Sequence, residues 1–64
     1  MPQYRIVKAS NGDPSMIIKD FPAQNDEEAA KTLISERAKP IFMFSHLWLE
    51  RVTGQKDVTV KVEV

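Results

Sequence analysis

The segment FPAQNDEEAAKTLISERAKP, residues 21–40, predicts a single helix between two pairs of strands. Asn25 is a good N-cap residue, and Glu28 follows it three positions later, as in a capping box. Negative charge at residues 26–28 meets the positive end of the helix dipole. The apolar residues at helical spacing predict one buried stripe: Ala30, Leu33, Ile34 and Ala38. Pro40 then ends the helix.

On the N-terminal side of this helix, the sequence predicts a β-hairpin. Residues 3–9 and 15–21 are rich in strand-forming side chains, and Pro22 is expected to end the second strand. Between these strands, Asn11 and Gly12 tolerate the positive φ values of a tight turn.

On the C-terminal side, the sequence predicts a second hairpin. Residues 44–52 form its first strand and residues 53–57 its turn. In residues 58–64, valine alternates with polar residues, which predicts a half-buried strand with its valines on one face.

The predicted order is therefore β-β-α-β-β, an α+β fold in one domain over residues 1–64. Because the helix brings the chain back along the sheet, strand 3 pairs with strand 1. This pairing gives an antiparallel sheet in the order 2-1-3-4, with the helix on one face. The order 1-2-4-3 is also antiparallel but places the last strand inside, and we favour the first order for its shorter crossover.

The composition of the chain argues against several classes of binding site and of cellular location. Nine basic residues balance nine acidic residues, which argues against binding driven by nucleic-acid phosphates. The chain has no cysteine, hence no disulfide and no thiolate metal site. Its longest apolar stretch, residues 41–49, is too short to cross a bilayer, and no signal-peptide pattern precedes it. We therefore expect a cytoplasmic protein without membrane contact.

The sequence carries more apolar side chains than one covering helix can shelter. In strand 3, alternation places Phe44, His46 and Trp48 on one side of the sheet, and Leu47 and Leu49 on the other. We therefore expect an apolar patch on the uncovered face or under residues 40–44. Two alternatives stay open: partial exposure common to any small domain, and burial of residues 40–44 over the end of the sheet.

The residues expected to contact a partner are aromatic anchors with a polar rim. The anchors are Tyr4, Phe42, Phe44 and Trp48, and the rim residues are Arg5, His46 and Arg51.

No catalytic, cofactor or metal site is predicted. His46 is the one histidine, and the adjacent Ser45 points to the opposite face of the strand. Helix capping accounts for the acidic residues 26–28. The turn around Gly12 lacks the further glycine and the Lys-Ser or Lys-Thr pair of a phosphate-binding loop.

The sequence is also compatible with two further kinds of partner. Aromatic side chains on an open sheet face can stack RNA bases, and Tyr4, Phe44 and Trp48 are the candidates. The valine-rich edge strand 58–64 can add a strand from a second copy or from another protein, although Lys61 and Glu63 are charges of the kind that protect an edge.

The junction at residues 21–29, followed by Leu33 and Ile34, resembles that of many small β-β-α-β domains. The layout of residues 4–52 is similar to the ribosomal protein LX family, which implies binding to ribosomal RNA. The small size and the lack of catalytic groups resemble phage-encoded accessory proteins, including anti-CRISPR and other anti-defence inhibitors. That resemblance implies docking on a larger host complex.

The function we expect is accordingly a non-enzymatic protein-binding module. The most concrete form is an accessory protein of a phage or mobile element that inhibits or modulates a host complex. An RNA- or ribosome-associated module and a structural homodimer are the alternatives.

Overall fold

A computed structural model describes residues 2–9, 12, 14–54 and 58–63. Its elements follow the predicted order: β1 Gln3–Ala9, β2 Met16–Pro22, α1 Asp26–Arg37, a 3-10 turn Pro40–Phe42, β3 His46–Val52 and β4 Thr59–Val62. The four strands form one antiparallel sheet in the order β2-β1-β3-β4. The predicted α+β class and strand order are therefore confirmed. We call the sheet face opposite α1 the open face.

Several strand boundaries differ from the prediction by one or two residues, and two of these differences have a clear cause. β3 begins at His46 rather than at residue 44, because Pro40 starts a 3-10 turn that holds the chain away from the sheet. β2 runs through Pro22, which pairs with Gln3 at the end of an edge strand. A proline is tolerated there because its missing N–H can face away from the ladder.

The predicted turns lie only partly within the described residues. Gly12 has a φ of 86°, the positive value that the Asn-Gly pair was expected to supply. Residues 10, 11, 13, 55–57 and 64 lie outside the described ranges.

The start of α1 is the one the sequence predicts. The side chain of Asn25 accepts a hydrogen bond from the backbone N–H of Glu28 at 2.9 Å. This bond satisfies one of the amides that a helix start leaves unpaired. At the other end, the Ala38 N–H donates to the carbonyl of Ile34, and the helix ends before Pro40.

The predicted helix stripe is right at Leu33 but wrong at Ile34. The residues of α1 that are buried are Ala29, Leu33 and Glu36, whereas Ile34 is exposed. Burial of the charged Glu36 side chain is tolerated because Lys19 and Lys39 both pair with its carboxylate. The helix thus rests on the sheet through small and branched side chains, over a core that comprises Tyr4, Ile6, Phe21, Ala23, Ala29, Leu33, Leu47, Leu49 and Val62.

A β-bulge in β2 interrupts the alternation of side chains along that strand. Ile6 pairs with Lys19 but Val7 pairs with Ile17, so Ile18 is the extra residue. Ile18 packs against the core, while Ile17 shares the open face with Val7.

Candidate functional site

Residues 41–44, which we call the apolar segment, carry the most exposed large apolar side chains of the described residues. Phe44 is 93% exposed, Ile41 79% and Met43 66%. Phe42 differs, because it is half-buried and packs against the core. Three large apolar groups thus face solvent around one anchoring ring.

Local hydrogen bonds hold the backbone of the apolar segment. The Phe42 N–H donates to the Lys39 carbonyl at 3.0 Å, and the Met43 N–H donates to the Pro40 carbonyl at 3.1 Å. The Ser45 N–H then donates to the Phe42 carbonyl at 3.1 Å. The segment is a series of tight turns, so its side chains are displayed from an ordered backbone rather than from an extended loop.

The sheet register places two more apolar side chains at the same end of the molecule. Ala9, at the end of β1, pairs with His46, which directly follows the turn that carries the segment. Lys8 pairs with Met16 at the start of β2, and both Met16 and Ile17 are exposed. The apolar segment and the start of β2 therefore occupy one end of the sheet.

Charged side chains form hydrogen bonds and ion pairs at the C-terminal end of α1, which precedes this segment. Arg37 donates from Nη2 to the Leu47 carbonyl at 2.8 Å. Lys39 and Lys19 lie 3.0 and 3.6 Å from the carboxylate oxygens of Glu36. The hydrogen bond from Lys39 holds the pKa of Glu36 below its ordinary value, against the effect of burial. These contacts join the end of α1 to β2 and to β3.

The open face is occupied by a polar network around Trp48. The indole Nε1 donates to Glu50 Oε2 at 2.7 Å, and the Thr59 hydroxyl donates to Glu50 Oε1 at 2.9 Å. Lys61 Nζ lies 5.7 Å from the Trp48 ring centre, and the His46 ring lies 5.6 Å from it. Trp48 is half-buried and shares this face with His46, as the alternation predicts, and its indole N–H is already bound to Glu50.

Arg5 is the remaining predicted rim residue on the open face. It pairs with Asp20 across the β1–β2 ladder, with 3.4 Å between its Nε and Asp20 Oδ1. Its guanidinium therefore lies beside the neighbouring strand, within the same face as Trp48.

Tyr4 and Arg51 lie on the covered face of the sheet instead. Tyr4 is 1% exposed, and its hydroxyl donates to Asp26 Oδ1 at 2.6 Å. Arg51 Nη1 donates to both oxygens of the same carboxylate, at 3.1 and 3.2 Å. The expectation that Tyr4 belongs to an exposed apolar patch is wrong, because this buried hydroxyl has a partner on α1 that local pattern does not reveal.

These contacts shift two ionisable groups. The hydrogen bond to Asp26 raises the pKa of Tyr4, and burial adds to that shift. The same bond, together with the charge of Arg51, lowers the pKa of Asp26 below its ordinary value of 3.8. Both shifts favour an ionised Asp26 that accepts a hydrogen bond from a neutral Tyr4.

The structure thus separates the seven predicted contact residues into three places. Arg5, His46 and Trp48 share the open face, Phe42 and Phe44 belong to the apolar segment, and Tyr4 and Arg51 lie under the helix. Ile41 and Met43 were not predicted as anchors, although their place in the apolar run after Pro40 is a signal that could have identified them.

The described residues hold no group of three or more His, Asp or Glu side chains placed to bind a metal ion. Neither helical segment among them has the length and apolar character of a membrane-spanning helix. The resemblances to anti-defence proteins and to the ribosomal protein LX family stay predictions. Comparison of the chain with protein-family models, with curated proteins and with solved structures found no match.

Proposed function

We propose that this chain is a small protein-binding module without enzymatic activity. In the most concrete form of the proposal, it serves a phage or mobile element in the cytoplasm of a host cell. There it docks on a larger host protein complex and inhibits or modulates it. The observation that supports the proposal is the exposure of Ile41, Met43 and Phe44 within four residues.

The energetic argument concerns what these side chains gain from a partner. Burial of each large apolar side chain is worth roughly 1.5–3 kcal/mol, and the isolated chain forgoes most of this gain at all three positions. Aromatic anchors that fill a pocket on the partner account for much of the affinity in known interfaces. Phe44 is the strongest candidate for such an anchor, since it is the most exposed of the three.

The hydrogen-bonded turns also favour binding. Ordering a flexible loop on association costs free energy, and a backbone already held by the Phe42, Met43 and Ser45 amides avoids most of that cost. His46 follows the segment at the start of β3 and is exposed, so it supplies a polar margin.

A matched pair of surface variants tests the proposal. We expect Phe44→Ser to lower affinity for a partner captured from a host lysate at least tenfold, equivalent to about 1.4 kcal/mol. Ile34→Ser is the control, because Ile34 is also exposed but lies on α1. Titration of the purified partner against each variant by calorimetry gives the comparison.

Both variants should keep the wild-type free energy of unfolding within about 0.5 kcal/mol, since neither side chain is buried. A Phe44→Ser variant that binds the partner as tightly as the wild type would remove the segment from the interface. RNA binding that weakens steeply with salt would favour the ribosomal alternative instead.

A further inference from the structure

β4 is the less protected of the two edges of the sheet. β2, at the opposite edge, carries a bulge at Ile18 and ends in Pro22, two features that discourage further pairing. The described part of β4 has neither feature, and its pairs with β3 are regular from Thr59 to Val62.

The hydrogen-bond pattern shows which residues of this edge face outward. The Thr53 N–H donates to the Val58 carbonyl at 3.0 Å, which makes these two a hydrogen-bonded pair. Because such pairs alternate along an antiparallel ladder, Val60 and Val62 also direct their backbone groups toward β3. The backbone groups that face away from the sheet therefore belong to Thr59, Lys61 and, just beyond the strand, Glu63.

Apolar surface lies beside this edge. Val58 and Val60 are 43% and 45% exposed and Val62 is 8% exposed, although the sequence predicted that the valines share one face of a half-buried strand. Val60 pairs with Arg51 and so shares the face covered by α1. There Ala30 and Ile34 of α1 border a shallow groove that reaches the chain backbone near Glu63, just beyond the end of β4.

We propose that a second copy of this chain pairs with β4 in antiparallel fashion, about a twofold axis at Val62. In this register, Lys61 of each copy lies opposite Glu63 of the other, which gives two cross-strand ion pairs. The outward backbone groups of the same two residues form the new ladder. Val62 faces Val62 of the second copy, with Val60 as its diagonal neighbour.

The charged side chains of the edge favour this register over the two adjacent registers. An axis at Lys61 would place the two Lys61 side chains against each other, and like charges directly opposite are unfavourable. An axis at Val60 would place Thr59 opposite Lys61 and leave Glu63 without an opposite lysine. The proposed register is the one that pairs the two opposite charges of the edge.

Sedimentation velocity over micromolar to millimolar concentrations tests the proposal. We expect a reversible monomer–dimer equilibrium in the wild type. Lys61→Glu and Glu63→Lys should each weaken the dimer by about tenfold, because each creates two like-charge pairs. The double variant with both changes restores opposite charges and should dimerise within about threefold of the wild type.

Lys31→Glu and Glu28→Lys are the matched controls, since they make the same charge changes in an exposed ion pair on α1. Both should leave the dimer constant unchanged. A wild type that sediments as a monomer at every concentration overturns the proposal. So does a dimer that the double variant fails to restore, or one that Phe44→Ser abolishes, because that result places the apolar segment in the dimer interface.

Discussion

Asp26 joins three elements of the fold through one carboxylate. It belongs to the first turn of α1, accepts the Tyr4 hydroxyl from β1 and pairs with Arg51 from β3. A tyrosine in the core needs a partner for its hydroxyl, and a carboxylate at a helix start is also favoured by the helix dipole. One side chain therefore meets two requirements that belong to different parts of the chain.

This arrangement predicts a specific pH dependence. The pKa of Asp26 is lowered in the folded state, so the unfolded state binds the proton more tightly. Its contribution to stability is therefore present above the ordinary value of 3.8 and is lost as the pH falls through the lower, folded-state pKa. We expect Asp26→Asn to lose less stability than the wild type when the pH falls from about 6 to about 3.

Urea unfolding followed by circular dichroism at several pH values measures this difference. Phe44→Ser is a suitable control, because it changes no ionisable group and should follow the wild-type profile. Equal losses of stability in Asp26→Asn and the wild type would show that the carboxylate is not linked to folding in this way.

At the scale of the element, the start of α1 depends on a single cap. The Asn25 side chain accepts from the Glu28 N–H, and we expect Asn25→Ala to lower the free energy of unfolding by about 1 kcal/mol. Asn25→Asp keeps an acceptor at the same position and should stay near the wild type. Thermal unfolding by circular dichroism compares the three proteins, and a fully stable Asn25→Ala would contradict the role of this cap.

Signals carried by a few neighbouring residues predicted the elements well. The cap at Asn25 and the stop at Pro40 placed the helix, and alternation placed His46 and Trp48 on the same side of β3. The predicted helix stripe was right at Leu33 but wrong at Ile34, because the side of a helix that is buried depends on how the helix packs on the sheet. Glu36 lies inside with two lysine partners, one of them from β2, and the local pattern favoured Ile34.

The candidate site was only partly predictable for a similar reason. The aromatic residues of the apolar segment stand out in the sequence, and Phe44 is exposed as expected. Tyr4 has the same aromatic character but bonds to a residue 22 positions away. The extra residue at Ile18 likewise depends on pairing with β1, so strict alternation along β2 could not locate it.

At the scale of the whole molecule, β1 and β3 occupy the middle of the sheet and each has a neighbour on both sides. The apolar segment lies outside this ladder and is held by short-range bonds alone among those described. Stability should therefore differ between these regions. We expect the amides of Ile6 and Leu49 to exchange with solvent at least ~100-fold more slowly than that of Met43.

Hydrogen exchange followed by NMR gives these rates residue by residue. The amide of Phe42, which bonds within the same turn, is the internal comparison and should behave like Met43. Protection of Met43 equal to that of Leu49 would mean that the turn opens only when the whole sheet unfolds.

The place of Trp48 has a practical consequence. The chain holds one tryptophan, so its fluorescence comes from a single chromophore on the open face. The ammonium of Lys61, a residue of the edge strand, lies 5.7 Å from that ring. A ligand that moves the Lys61 ammonium away from the ring changes the electric field at the indole and so shifts the wavelength of its fluorescence emission. The fluorescence of Trp48 therefore reports binding at the edge strand β4 without an attached dye.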